Sequence, residues 1–278
     1  MQEMTRRELQ LFCLNILKEV HSFCESNNIK YSLAYGTLLG AIRHKGFIPW
    51  DNDIDICMPR PDYERFVNTF HSSKYHLAFF GKKSDCDCLI AYARVFDTEK
   101  TVAKKTNWSS KPVGVWIDIF PLDGVPDDVD DFCSMYDRYF KLWLAIQKKR
   151  IQFTSIGDVC GLLPRIKLFV HKLLQINGLG GHFLQKRYIK KIKSIPYETA
   201  KFWSQLAVMD NGPVEHFTKN IFSNPILKEF EGVSFRVMEG FDENLKNIYG
   251  DYMSLPPEDA RVPHQDYIKF YWKKSYEV

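Results

Sequence analysis

Residues 31–70 read YSLAYGTLLGAIRHKGFIPWDNDIDICMPRPDYERFVNTF, and their order decides the fold class. YSLAY (31–35) is a short apolar strand that stops at Gly36-Thr37, and TLLGAIRHKG then has the composition of a short helix. DIDIC (53–57) alternates acid and apolar residues with the period of a strand, closed by Pro59 and Pro61. From Asp62 to Phe70 the spacing of Tyr63, Phe66, Val67 and Phe70 is helical. Asp51, Asp53 and Asp55 fall at alternate positions, so a strand places them on one face while Ile54 and Ile56 anchor the other. Three carboxylates on one face repel each other unless positive charge lies between them. The cluster reads either as a solvated acidic face or as a cation site, and the apolar alternation favours the cation site. Hard oxygen ligands select Mg²⁺ or Mn²⁺ over zinc.

Outward from this stretch, residues 4–27 form an amphipathic helix, with Leu9, Phe12, Ile16 and Val20 at helical spacing. Downstream, CLIAYARVF (88–96) and VGVWIDIF (113–120) read as strands, and PLDGVPDD after them as a turn-rich loop. Asp118 is a lone acid in an apolar strand, where an unpaired carboxylate is costly. Two readings are open for it: an ion pair with Arg94, or a neighbouring strand bringing it to Asp53 and Asp55. The Gly36-Thr37 turn, a strand end opening a helix, offers backbone N–H groups and a hydroxyl to a phosphate. The fold expected is α+β: a small mixed sheet flanked by helices over residues 1–128, a helical basic region over 129–200, and a segment over 201–278 that completes the cleft.

The whole chain of 278 residues carries 38 Lys+Arg and 34 Asp+Glu, a formal net charge of +4, with 45% hydrophobic residues. That balance excludes a disordered or collagen-like chain. No stretch reaches the roughly 18 apolar residues of a membrane-spanning helix, and the charged N-terminal helix is no signal peptide, so a cytoplasmic location is expected. Seven scattered cysteines suggest reduced thiols, and Cys86-Asp87-Cys88 is too closely spaced for the usual zinc knuckle. Charge is segregated. Residues 141–193 hold 12 Lys/Arg and one acid, a balance of +11, which leaves −7 for the rest. This stretch reads as a solvated helical face, a nucleic-acid surface or a docking face for anionic lipid. Sparse aromatic interleaving sets nucleic acid aside, and lipid docking, with the membrane as a peripheral partner, is the reading preferred over it.

The run YGTLLGAIRHKGFIPWDNDIDICMPRPDYERF resembles the signature of the LicD family, which includes fukutin and fukutin-related protein. VWIDIFPLDGVP matches its second block, and NIYGDYMSLPPEDARVPH resembles its C-terminal block. The resemblance implies a nucleotidyltransferase-like fold. It also implies transfer of phosphocholine from CDP-choline to a sugar hydroxyl on a surface glycan or its lipid-linked precursor, with CMP released. Relatives use another CDP-activated polyol such as ribitol. Carried over by position, Asp53, Asp55 and Asp118 are the implied metal ligands for two Mg²⁺ or Mn²⁺ ions, and Asp51 a neighbouring acid or the acceptor base. Gly36 and Thr37 occupy the phosphate turn, and Arg43, His44 and Lys45 the basic segment; Arg94 is a candidate phosphate contact. Asn52 stands where many members have Asp. A metal-dependent glycosyltransferase and a silent binding module remain alternatives.

Overall fold

The protein is described by a computed structural model covering residues 1–104, 106–109, 111–150, 161–174, 179–262 and 268–273. Asp158, Cys160 and His264, which entered the sequence reading, lie outside the described residues. The first half comprises α1 (Arg6–Ser26), β1 (Ser32–Leu33), α2 (Tyr35–His44), β2 (Asp55–Pro59), α3 (Arg60–Thr69), β3 (His76–Ala78), β4 (Ala93–Phe96), β5 (Thr101–Lys104) and β6 (Trp116–Val125). The second half comprises α4 (Val129–Lys149), α5 (Leu162–Leu174), α6 (Leu179–Ile192), β7 (Phe202–Ser204), β8 (Phe217–Thr218), β9 (Ile226–Phe230), β10 (Val233–Val237), α7 (Phe241–Tyr249) and β11 (Lys269–Trp272).

The central sheet runs β1-β2-β6-β4-β3 and is mixed, with β2 and β6 parallel and the other neighbours on this path antiparallel. Helix α1 opens on a capping box between Thr5 and Glu8 and packs Leu9, Phe12, Cys13, Ile16, Leu17 and Val20 into the core, touching β6. The second half is laid across this sheet. Strand β7 pairs with the far end of β6, β11 pairs with β5, and the hairpin β9–β10 contacts β1 and α2. Helices α4 and α6 pack on each other.

Strand β1 is shorter than YSLAY suggests and α2 already begins at Tyr35; three further differences from the sequence reading have a local reason. Strand β2 begins at Asp55, two residues later than DIDIC suggests. Upstream, the Asn52 N–H donates to the Asp51 carboxylate at 3.0 Å, and the Asp51 carbonyl accepts from Gln10 at 2.8 Å, so side chains take the place of ladder partners. PLDGV is not a turn but the second half of β6, all of it buried. Asp118 N–H donates to Ile54 O on the β2 side, so by alternation the nitrogen of Pro121 faces the opposite edge. Along that edge of β6 the ladder with β4 stops at Ile119, opposite Ala93, and the ladder with β7 starts at Asp123, opposite Ser204, so no ladder bond is lost to proline. Gly124 admits the carbonyls of Ile195 and Pro196, which would lie 2.7 and 3.0 Å from a Cβ. Residues 88–92 contribute one bridge, Cys88 to Ser109, and the strand itself starts at Ala93.

Candidate active site

The register of the parallel pair sets the site: Asp55 on β2 lies directly opposite Asp118 on β6, and Arg94 on β4 lies opposite Asp118 on its other side. Both sequence readings of Asp118 therefore meet in one place. It neighbours Asp55, and it takes a bidentate ion pair from Arg94, Nε to Oδ1 at 2.6 Å and Nη2 to Oδ2 at 3.1 Å, with both side chains buried. The guanidinium also donates to the Tyr92 hydroxyl at 2.8 Å and lies against the Trp108 and Trp116 rings, 4.6 and 4.7 Å from their centroids.

Asp51, Asp53, Asp55, Asp118 and Arg94 all line one cleft of about 640 Å³, with Gly36 beside them. Burial and neighbouring carboxylates push Asp53 well above the usual carboxylate range, first Asp55 and then Asp51. Asp55 is raised in the same way by burial and then by Asp118, with Arg94 opposing. This crowding is what a cation relieves, and the donors are all oxygen, as Mg²⁺ or Mn²⁺ requires. Placement is less complete than charge. Among the described residues no group of three or more His, Cys, Asp or Glu side chains is disposed to hold one ion, and the third expected ligand, Asp118, is engaged by Arg94. Asp53 and Asp55 are the carboxylates that suit the ion in charge and donor type.

The other residues expected at the site divide. Gly36 lines the cleft, and a Cβ there would stand 2.5 Å from Asp51 Oδ2, so glycine lets that carboxylate lie against the first turn of α2. Thr37 is buried, and its hydroxyl accepts from the Asp55 N–H at 2.9 Å, fixing the acid rather than facing the cleft. Arg43, His44 and Lys45 do not line it. Arg43 donates to the carbonyls of Tyr252 and Ser254 and to His44 Nε2, while Lys45 closes α2 in the left-handed region and accepts from the Glu231 N–H at the β9–β10 turn. Asn52, outside the strand, does not line the cleft either.

Sequence reasoning missed the aromatic wall. Phe120 follows Asp118 on the same face of β6, with Tyr92 and Tyr35 rings 4.9 and 5.6 Å from it, and all three line the cleft. Tyr35 adopts φ +48°, a conformation that costs a bulky residue about 1–3 kcal/mol. Its hydroxyl donates to Glu215 Oε1 at 2.9 Å, a carboxyl only 7% exposed. Burial pushes Glu215 up to about 7, against the Tyr35 and Gln205 hydrogen bonds. Among the described residues no Lys or Arg forms an ion pair with it. Tyr35 stands next to the Gly-Thr turn and was within reach of the sequence; Glu215, in NGPVEHF, had no signal at all.

Comparison with known proteins places these features in a family. Residues 28–152 match the model of the LicD/FKTN/FKRP nucleotidyltransferase domain. Over 273 residues, 95% of this chain and 97% of the other, the sequence is 36% identical to the lipopolysaccharide cholinephosphotransferase LicD of Haemophilus influenzae. Uncharacterized proteins of Rickettsia typhi and Rickettsia prowazekii are 43% and 44% identical over 61 and 57 residues, about a fifth of each chain.

Proposed function

We propose a donor and an acceptor for this chain from one premise: it belongs to the LicD family and is a phosphotransferase. The donor is CDP-choline, and the acceptor a sugar hydroxyl of lipopolysaccharide or a similar lipid-linked glycan. One observation carries the reading: a carboxylate cluster and an aromatic wall share a single cleft, the acids suited to the diphosphate end of the donor and the rings to a quaternary ammonium. The acceptor oxygen bonds to the phosphorus bearing choline as the bond from that phosphorus to the CMP oxygen breaks. CMP leaves with the electron pair, and the hydroxyl proton passes to a base.

Asp53 and Asp55 would hold divalent metal. A cation bound there would neutralise phosphate charge and lower the pKa of the attacking hydroxyl. Thr37 fixes Asp55 through its main-chain N–H, and Arg94 holds Asp118 at the same floor. Asp51, its main chain tied by Gln10 and its carboxylate against Gly36, is the candidate proton acceptor. Phe120, Tyr92 and Tyr35, which line the cleft, are the aromatic groups available to the trimethylammonium group, and the buried Glu215 behind Tyr35 supplies negative charge.

A donor panel tests this: CMP release from CDP-choline, CDP-ribitol and CDP-glycerol with Mg²⁺ or Mn²⁺ and a lipopolysaccharide acceptor. CDP-choline is expected to be preferred, with release abolished by a chelator. Preference for CDP-ribitol or CDP-glycerol overturns the donor assignment and leaves the transfer reaction. Turnover of a nucleotide sugar in place of every CDP-alcohol overturns both.

A further inference from the structure

The basic region carries a second feature that charge counting alone does not reveal. Helix α5 is amphipathic, but its broad apolar face points outward. Leu162 and Leu163 are 74% and 72% exposed, Ile166 48%, Phe169 51% and Val170 45%. At about 100° per residue these five fall within an arc of roughly 120°. Lys167 borders the arc on one side and Arg165 on the other, both exposed, while Leu168 points the opposite way and is buried. Single exposed apolar residues are ordinary, but a contiguous stripe rimmed by polar residues marks an interaction surface.

We propose that α5 lies in the interface of an anionic lipid bilayer, its apolar arc inserted among the acyl chains and its basic rim at the headgroups. Two observations select lipid. The arc has the width and basic flanks of a helix that lies in the interface plane. The surrounding stretch, 12 Lys/Arg to one acid over residues 141–193, complements a negative surface. A second copy of the chain is disfavoured by the same charge, because a twofold contact through this face would bring two basic rims together. Among the described residues no helix is long and apolar enough to cross a membrane, so contact through α5 is peripheral. The inference rests on this surface and not on the donor; a lipid-anchored acceptor gives it a use, since the enzyme must meet such a substrate at a bilayer.

The test is co-sedimentation of the full chain with vesicles of phosphatidylcholine mixed with phosphatidylglycerol, against vesicles of phosphatidylcholine alone. The wild-type protein is expected on the anionic vesicles, less so as salt rises. The double variant Ile166→Asp/Phe169→Asp should lower partitioning by about tenfold or more, with an unchanged thermal midpoint and unchanged CMP release in solution. Arg165→Glu/Lys167→Glu should lower it as well, and should remove the preference for phosphatidylglycerol. No binding to anionic vesicles at low salt overturns the proposal. So does an apolar-arc variant that binds as the wild type does, which would reduce the contact to charge alone. A concentration-dependent dimer that Ile166→Asp/Phe169→Asp dissolves, without vesicle binding, assigns the face to a second copy instead.

Discussion

The acid-bearing sheet and the basic helices handle charge in opposite ways. On β4 and β6 the charged groups are buried and paired, Asp118 with Arg94 and Asp123 with Arg60, while the half-buried Asp55 on β2 is held through its main-chain N–H by Thr37. On α5 and α6, Lys167, Lys186, Arg187 and Lys190 are exposed, and on α5 the apolar residues Leu162, Leu163, Ile166, Phe169 and Val170 are uncovered beside them. A charge buried in a sheet fixes geometry, because leaving it without its partner is expensive. A charge on an exposed helix sets a field and an affinity, and tolerates replacement. Chemistry that needs fixed atoms belongs to the first region, and contact with a large, soft partner to the second.

The largest effect that would break this contrast lies in activity. Asp53→Asn and Asp55→Asn should each lower the rate of CMP release by on the order of a thousandfold, several kcal/mol of lost phosphate stabilisation. The fold should be kept or slightly stabilised, since each change relieves repulsion among Asp51, Asp53 and Asp55. Near-normal turnover at saturating Mg²⁺ for either variant would remove that residue from the reaction.

Stability comes next, and it sharpens the comparison within one molecule. Arg60 donates to both oxygens of Asp123, at 2.7 and 2.6 Å, and both side chains are buried. Asp123→Ala should cost about 3–5 kcal/mol, because it strands a buried guanidinium. Lys193, whose ammonium pairs with Glu64 at 2.8 Å with both side chains more than a third exposed, should cost less than about 1 kcal/mol when replaced by Ala. Denaturant midpoints measure both, and equal losses would mean that burial does not separate the two regions.

The same division governs what the sequence disclosed. Local patterns were legible: DIDIC and VGVWIDIF gave the two central strands, and a lone acid in an apolar run marked Asp118. Composition misled where residue type and local geometry diverge. Pro121, Asp123 and Gly124 look like a turn, yet Pro121 faces a gap between strands, Asp123 holds Arg60, and Gly124 makes room for a passing chain. Arg43-His44-Lys45 looks like a phosphate site, but Arg43 and Lys45 tie α2 to carbonyls and amides about 190 to 210 positions away. The β9–β10 hairpin had a readable turn, Glu231-Gly232, both with positive φ, between two five-residue runs. The Tyr35–Glu215 contact joins residues 180 apart and left no trace in spacing.

The last effect concerns that contact, a buried acid behind the cleft that serves a soft ligand. Tyr35, Tyr136, Tyr249 and Cys57 all lie within reach of the Glu215 charge, and none of them is cationic. Its carboxyl is raised from an ordinary 4.5 to about 7, chiefly by burial. A raised carboxyl is protonated in the fold while already ionised in the unfolded chain, so it favours folding at low pH. That contribution falls as pH rises from 4.5 to about 7. Binding runs the other way. Only the ionised form attracts a trimethylammonium group, so KM for CDP-choline should fall as pH rises through about 7, with kcat following its own profile. Glu215→Gln should raise that KM about tenfold at pH above 7, flatten its pH dependence, and leave KM for CDP-glycerol unchanged. It should also make the protein more stable at alkaline pH, because no buried charge then forms. If KM for the two donors moves together, Glu215 shapes Tyr35 without reading the donor's charge, and the cation site must be sought elsewhere on the aromatic wall.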